Sequence, residues 1–154
     1  DYLQIGITNG LIQFNDDNSR ITYVNRNKSY SFKDPEETVR AETFVQLVEI
    51  YGYTPDKIDF EVRVPRRTPN DLADIVIYTD DTLTTAYLVV ECKKETVTDA
   101  EYKQAIEQGF GNANSLKGSF LWVTSKTLNN YFDVAGFGGM ERELNQLADI
   151  PKAG

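Results

Sequence analysis

Two short runs rich in valine and isoleucine constrain the fold of this chain more than any other feature. Residues 73–78 read Ala-Asp-Ile-Val-Ile-Tyr, residues 86–92 read Ala-Tyr-Leu-Val-Val-Glu-Cys, and a turn-like Asp80-Asp81-Thr82 segment lies between them. Because β-branched residues favour strands, two such runs around a polar turn are typical of a hairpin. We therefore predict two neighbouring antiparallel strands.

The position of the turn predicts which side chains meet across this hairpin. If it is centred between Thr82 and Leu83, Asp74 lies directly opposite Glu91, and Lys93 shares the face of Glu91 because strand side chains alternate. Direct cross-strand partners have Cβ atoms about 4.5–5.5 Å apart. Two carboxylates and an ammonium are therefore expected to lie together at one end of an apolar ribbon.

Such a trio suits metal-dependent phosphodiester hydrolysis. Two adjacent carboxylates repel each other unless a cation lies between them, and Mg²⁺ prefers one or two carboxylates together with water and phosphate oxygens. We predict Asp74 and Glu91 as metal ligands and Lys93 as the catalytic group that orients or activates the attacking water. The alternative is that these charges only line a solvated strand face.

Composition narrows the chemistry further. The chain has no histidine and one cysteine, Cys92, which excludes histidine-based triads, disulfide scaffolds and zinc fingers, and favours a reducing cytosol. The net charge of −8 argues against a domain that attracts nucleic acid by itself. Nucleic acid is therefore either not its partner or is presented to this domain by another molecule or domain. No apolar run approaches the ~18–20 residues that span a bilayer, which excludes a membrane protein.

The remaining pattern predicts further strands and helices around the hairpin. The first helix has Asp34 as N-cap and Pro35 at its first position, and Gly52 follows its end. The second helix is expected over Asp99–Leu116. Strands are predicted at residues 11–14, 21–24, 30–32, 58–64 and 120–124, a loop at 129–131, and a short helix near 141–148.

The length of 154 residues fits one domain. We expect a single unit over 1–154, with a core at about 34–125, N-terminal strands over 1–33 and a C-terminal extension or linker over 126–154. Because the chain begins at Asp1 and ends in a linker-like Ile150-Pro151-Lys152-Ala153-Gly154, it is expected to be a fragment of a longer protein. The order of elements predicts an α/β (α+β) fold, with a mixed β-sheet flanked by helices and an N-terminal β-hairpin extension.

Five ordered segments resemble a known family. Residues 34–40 read Asp-Pro-Glu-Glu-Thr-Val-Arg, 50–53 Ile-Tyr-Gly-Tyr, 58–61 Ile-Asp-Phe-Glu, 73–78 Ala-Asp-Ile-Val-Ile-Tyr and 90–94 Val-Glu-Cys-Lys-Lys. Over about residues 20–125 the chain resembles the N-terminal nuclease domain of type I restriction enzyme R (motor) subunits, in the PD-(D/E)XK nuclease superfamily. This resemblance implies a restriction-endonuclease-like fold and Mg²⁺-dependent DNA cleavage, with one or two ions that Mn²⁺ can replace.

The resemblance also implies residues on both helices. The family places an acidic residue on the first helix, where Glu36 and Glu37 both match, and we favour Glu37 as the residue that completes the site. A role in capping the helix is the alternative. Many R subunits carry Gln-x-x-x-Tyr on the second helix, and here Gln108 matches the glutamine while Asn112 stands at the tyrosine position. Gly109 and Gly111 are expected to let that helix approach the sheet or a nucleic-acid backbone closely.

Basic residues cluster along the sequence near the trio. We interpret them as a phosphate-facing strip on an acidic body, with ordinary surface charge as the alternative. Cys92 is expected to be a small core residue, because it alternates onto the face opposite Glu91. The strip comprises Arg63, Arg66, Arg67, Lys93, Lys94 and Lys103.

The leading hypothesis is a Mg²⁺-dependent endonuclease domain of a type I restriction R subunit in a prokaryotic cytoplasm. The resemblance implies double-stranded DNA as substrate, a helicase or translocase domain in the same full-length chain, and methyltransferase and specificity subunits as partners. Two alternatives stay open. One is a stand-alone PD-(D/E)XK nuclease of repair or defence, and the other is a catalytically inactive nuclease-fold module that binds DNA or protein.

Overall fold

A computed structural model describes residues 1–65, 71–135 and 145–154 of the chain. Within these ranges it contains three α-helices, a 3₁₀ turn at Pro55–Lys57 and nine strands. The helices are α1 (Tyr2–Thr8), α2 (Pro35–Glu49) and α3 (Asp99–Leu116). No helix in the described ranges has the length and apolar character needed to cross a membrane.

The strands form two sheets. The smaller is antiparallel, in the order β1 (Ile12–Phe14), β2 (Arg20–Tyr23) and β3 (Lys28–Ser31). The larger is mixed, because β6 and β7 are parallel and its other neighbours are antiparallel. Its order is β4 (Ile58–Arg63), β5 (Leu72–Tyr78), β6 (Ala86–Cys92), β7 (Phe120–Thr124), β8 (Asn129–Asp133) and β9 (Gln146–Leu147). This arrangement confirms the predicted α+β fold with a mixed sheet and an N-terminal β extension.

The larger sheet is covered on both faces. Alternate residues of β5 and β6 contribute to two separate cores, as the period of a strand requires. One core joins Ile75 and Val90 to Phe44 of α2 and to the smaller sheet. The other joins Val76 and its neighbours to α3. The central strands therefore run between two helices.

The register of the central hairpin is the predicted one. Ile75 pairs with Val90 and Ile77 pairs with Leu88, and an irregularity follows at Tyr78. The same register places Asp74 opposite Glu91, one step beyond the pair of Ile75 and Val90. The turn-centred argument from the sequence is thus confirmed for the paired residues.

Both long helices begin at capping residues, and α2 begins where the sequence predicted. The Asp34 side chain accepts a hydrogen bond from the backbone N–H of Glu36, and Pro35 is the first helical residue. Thr98 and Glu101 form a reciprocal capping box at the start of α3. Gly52 adopts φ +81° just after α2, a conformation that glycine accommodates without strain.

The two ends of the chain differ from the predictions. The unpredicted helix α1 is stabilised by the Asp1 side chain, which accepts hydrogen bonds from the backbone N–H groups of Leu3 and Gln4. Residues 129–131 belong to strand β8 and are not a loop, because Tyr131 packs on Trp122 with ring centroids 5.5 Å apart. β7 is consequently not the final strand.

The predicted helix near 141–148 is also wrong in the part that the structure describes. Gln146–Leu147 forms strand β9, whose residues pair with Phe132 and Tyr131 of β8. Residues 141–144 lie outside the described residues. An unpaired sheet edge at β8 offers backbone hydrogen bonds to this segment, and that pairing outweighs its helical pattern.

Candidate active site

The carboxyl groups of Asp74 and Glu91 lie side by side at the end of the central hairpin. They occupy facing positions of β5 and β6, one step beyond the pair of Ile75 and Val90. Oδ2 of Asp74 also accepts a hydrogen bond of 2.7 Å from the backbone N–H of Cys92. Glu91 is buried, whereas Asp74 is half-buried. The structure therefore brings the two predicted metal ligands together.

Burial is the main influence on both carboxyl groups. It raises the pKa of Glu91 well above its usual range, and the negative charge of Asp74 raises it further. The pKa of Asp74 is also raised by burial, although the Cys92 N–H and the charges of Arg40 and Lys93 oppose the increase. Two such groups favour a shared proton or a cation between them.

Lys93 lies near the carboxylate pair, as predicted. Its backbone N–H donates a 2.8 Å hydrogen bond to the carbonyl of Thr124, which continues the pairing of β6 with β7 by one residue. The ammonium charge lowers the pKa values of Asp74, Glu91 and Glu36. One cation therefore acts on three acidic groups.

The two glutamates at the start of α2 have different surroundings. Burial, and then the charge of Asp74, raises the pKa of the half-buried Glu36 to about 6. Glu37 is buried and accepts two hydrogen bonds from Arg40, of 2.9 and 2.7 Å, and one of 2.5 Å from the hydroxyl of Tyr23. The geometry favours Glu36 as the acid nearest the pair, and the preference for Glu37 stays a prediction.

A small polar cavity of about 80 Å³ opens between α2 and the central strands. Five acidic side chains, among them Asp34, contribute to its wall together with Arg40 and Cys92. Its volume admits a few waters or a hydrated ion but no larger ligand. The acidic residues at its wall include Glu36, Glu37, Glu61 and Asp74.

The donor set fits a divalent cation of the magnesium type. Asp74 and Glu91 supply two oxygen donors, which is the number that Mg²⁺ commonly takes from a protein. Among residues 1–65, 71–135 and 145–154 no group of three or more Asp, Glu or Cys side chains is arranged to hold one ion. The remaining ligands would therefore be waters and oxygens of a phosphate.

Helix α3 comes close to the site because residue 109 is a glycine. A Cβ atom at Gly109 would lie 2.9 Å from Cδ1 of Leu121 and 3.2 Å from Cγ of Glu91. The expected close approach of this helix to the sheet is thus confirmed. It places Asn112 where its Nδ2 donates a 2.8 Å hydrogen bond to Oε1 of Glu91.

Sequence reasoning missed this contact and the environment of Arg40. Asn112 departs from the tyrosine of the family motif, and its position one turn after Gln108 is the signal that places it on the same helix face. Gln108 itself is half-buried on α3, and its role stays a prediction. Arg40 forms an ion pair with Glu37 within α2.

The structure describes four of the six residues of the basic strip. Arg63, Lys94 and Lys103 are exposed. Arg66 and Arg67 lie outside the described residues. The strip therefore stays a hypothesis. Cys92 is fully buried, which confirms its expected place in the core, and burial raises the pKa of its thiol well above the usual range.

Comparison with protein-family models identifies a family for this chain. The family described as "Type I restriction enzyme R protein N terminus" matches residues 35–151, a span that includes α2, the central hairpin and α3. No curated protein and no solved structure matches the chain.

Proposed function

The chain belongs to the family of N-terminal domains of type I restriction enzyme R proteins, and from this premise we propose that it is a Mg²⁺-dependent endonuclease domain that hydrolyses phosphodiester bonds of double-stranded DNA. Family membership supports a nuclease role in a restriction enzyme. The observation that carries the finer proposal is the strand register that sets Asp74 opposite Glu91, two residues before Lys93 on β6.

In this proposal Asp74 and Glu91 hold one or two Mg²⁺ ions, and Mn²⁺ can replace them. The bound cation would supply Lewis-acid stabilisation of the negative charge that develops on the scissile phosphate. Burial raises the pKa values of both acids despite the nearby positive charge of Lys93, so a bound cation would stabilise their charged forms. We assign PD-(D/E)XK chemistry to the site on this basis.

The remaining groups act on water and phosphate. The Lys93 ammonium orients the attacking water and offsets charge on the phosphate. Glu36, with a pKa of about 6, is suited to accept the proton of that water near neutral pH, and Glu37 is the alternative. Gln108 would contact the DNA beside these groups.

The acidic charge of the chain fits delivery of DNA by other parts of an enzyme. A net charge of −8 repels a polyanion at long range. We propose a helicase or translocase domain in the same full-length chain, with methyltransferase and specificity subunits as partners. The expected location is the cytoplasm of a prokaryote, where the substrate DNA is found.

A nicking assay on supercoiled plasmid tests the proposal. The wild-type chain, and a longer chain that includes any adjoining translocase, are incubated with Mg²⁺ or Mn²⁺. A side chain that acts in general acid–base catalysis typically contributes about 10²–10⁴-fold to the rate. Lys93→Met should therefore lower the rate of cleavage by about 100-fold or more. The exposed Lys117→Met is the matched control and should cleave at the wild-type rate. Cleavage that survives Lys93→Met, or EDTA, would refute the mechanism.

A catalytically inactive binding module is the second candidate. Asn112 at the tyrosine position of the family motif and the net charge of −8 favour it. This candidate predicts no cleavage in either chain, together with a DNA mobility shift that does not require a divalent ion. A stand-alone repair or defence nuclease predicts cleavage by a native chain without a translocase.

A further inference from the structure

The guanidinium of Arg40 binds the carboxylate of Glu37 on α2 and that of Glu61 on β4, and it also contacts the backbone of Asp74. It is almost fully buried, at 3% exposure. Nε and Nη2 bind the two oxygens of Glu37, and Nη2 also donates to Oε1 of Glu61 over 3.4 Å. Nη1 donates to the backbone carbonyl of Asp74 over 3.5 Å. The planar guanidinium of Arg40 thus links Glu37 and Glu61 to Asp74, a proposed metal ligand.

Two tyrosines of the smaller sheet contact the ion pair of Glu37 and Arg40. The hydroxyl of Tyr23, on β2, donates a 2.5 Å hydrogen bond to Oε2 of Glu37. The ring of Tyr30, on β3, lies 4.3 Å from the guanidinium carbon of Arg40, within the range of a cation–π contact. Both tyrosines precede residue 35, where the family match begins. Residues outside the matched span therefore contact the site through Arg40.

The backbone is unusual at the position opposite Asp74. Phe60 pairs with Ile75 and Val62 pairs with Ala73, so that Glu61 faces Asp74 in the register of β4 and β5. Glu61 adopts φ +48° in the middle of this strand. Such a conformation is unfavourable for a glutamate and persists only where its surroundings hold it. The bond to Arg40 is one such constraint.

We propose that Tyr23, Glu37 and Arg40 are positioning residues that hold Asp74 in its working geometry, and that the smaller sheet is thereby part of the nuclease site. The inference rests on the proposed function for its catalytic meaning. This proposal decides between the two glutamates of α2: Glu36 accepts the proton of the attacking water, and Glu37 acts through Arg40 without touching the reacting atoms. A purely structural ion pair is the competing explanation, and it predicts loss of stability without any effect on Asp74.

Tyr23→Phe is the sharpest test, because it removes one hydroxyl and keeps the ring in the core. Tyr51→Phe is the matched control, since the Tyr51 hydroxyl also donates to a carboxylate, Asp149, over 2.6 Å. Three quantities are compared: Mn²⁺ affinity by calorimetry, kcat and KM of plasmid nicking, and the NMR shift and exchange rate of the Cys92 amide. That amide reports on Asp74 directly, because it donates to Oδ2 of Asp74.

Outer partners of metal ligands typically contribute 10–100-fold in affinity or activity. We expect Tyr23→Phe to weaken Mn²⁺ binding about tenfold, to lower kcat about tenfold with KM for DNA unchanged, and to shift the Cys92 amide. Tyr51→Phe should leave all three at wild-type values. Equal behaviour of the two variants would overturn the proposal.

Arg40→Lys provides a second test, because lysine keeps the charge but lacks the planar fork. It should be at least as impaired as Tyr23→Phe, whereas wild-type Mn²⁺ affinity and Cys92 signals in this variant would overturn the proposal. The two hypotheses can also fail separately. If the wild-type chain does not cut DNA, the proposed function fails, and the Cys92 amide of the variants still decides whether the smaller sheet positions Asp74.

Discussion

Asn112 donates a hydrogen bond from its Nδ2 to Oε1 of Glu91 over 2.8 Å, and neither side chain is more than 6% exposed. This contact lowers the pKa of Glu91 and so opposes the larger effect of burial. A buried carboxylate with one amide donor is easier to ionise than one without. Asn112 therefore supports the charged form of a proposed metal ligand.

Asn112→Ala should destabilise the fold, because it leaves the buried Glu91 without its amide donor. An unsatisfied buried polar group typically costs about 1–3 kcal/mol, so the free energy of unfolding in urea should fall by that amount at neutral pH. Asn114→Ala, at an exposed position of the same helix, is the control and should change stability little. Equal stability of the two variants would show that the contact contributes nothing.

Glu36 predicts a dependence of stability on pH. Its pKa is about 6 in the folded chain against a usual value of 4.5, so the unfolded chain releases this proton first as pH rises. The free energy of unfolding should therefore decrease between about pH 4.5 and pH 6. Glu36→Gln removes this decrease and should be more stable by about 1 kcal/mol at pH 7, a value reduced for partial exposure to solvent.

The control for this measurement is Glu95→Gln, which removes the same charge at an exposed position. Urea midpoints are determined at pH 4, 5, 6 and 7 for both variants and for the wild type. If Glu36→Gln and Glu95→Gln follow the same pH profile, burial and the charge of Asp74 do not raise the pKa of Glu36 as expected.

The central hairpin could be predicted from the sequence for a local reason. Strand alternation and a short turn fix which residues face each other, so Asp74 and Glu91 could be placed together without a structure. The bounds of α2 followed from its capping residues for the same reason. These signals depend only on residues that are close together in the sequence, so they can be recognised without a structure.

The contacts that surround this pair could not be predicted, because they depend on packing between distant segments. Tyr23 meets Glu37 only after the smaller sheet has packed on α2, and Asn112 meets Glu91 only because Gly109 admits the helix. Strand β9 pairs with β8 from a segment with helical periodicity. In each case the structure depends on a tertiary contact, and the local sequence pattern either gives no indication of it or predicts a different element.

Divalent cations should stabilise the folded chain through the carboxylate pair. A ligand at 100 times its dissociation constant stabilises a protein by about 2.7 kcal/mol, so saturating Mn²⁺ should raise the melting temperature by several degrees at pH 7.5. Asp74→Asn and Glu91→Gln should each abolish the increase. The control is Asp81→Asn, in the exposed hairpin turn, which should retain it. An increase that persists in both site variants would place the cation elsewhere.

Gly109→Ala should destabilise the chain although alanine is the better helix former by about 1 kcal/mol. The added Cβ would lie 2.9 Å from Cδ1 of Leu121 and 3.2 Å from Cγ of Glu91, and overpacking of this kind costs about 1–3 kcal/mol. Leu121→Val removes the nearest atom, so alanine should cost less in that background, which a double-mutant cycle of unfolding free energies measures. Additive effects of the two substitutions would show that Leu121 does not limit the approach of α3 to Glu91.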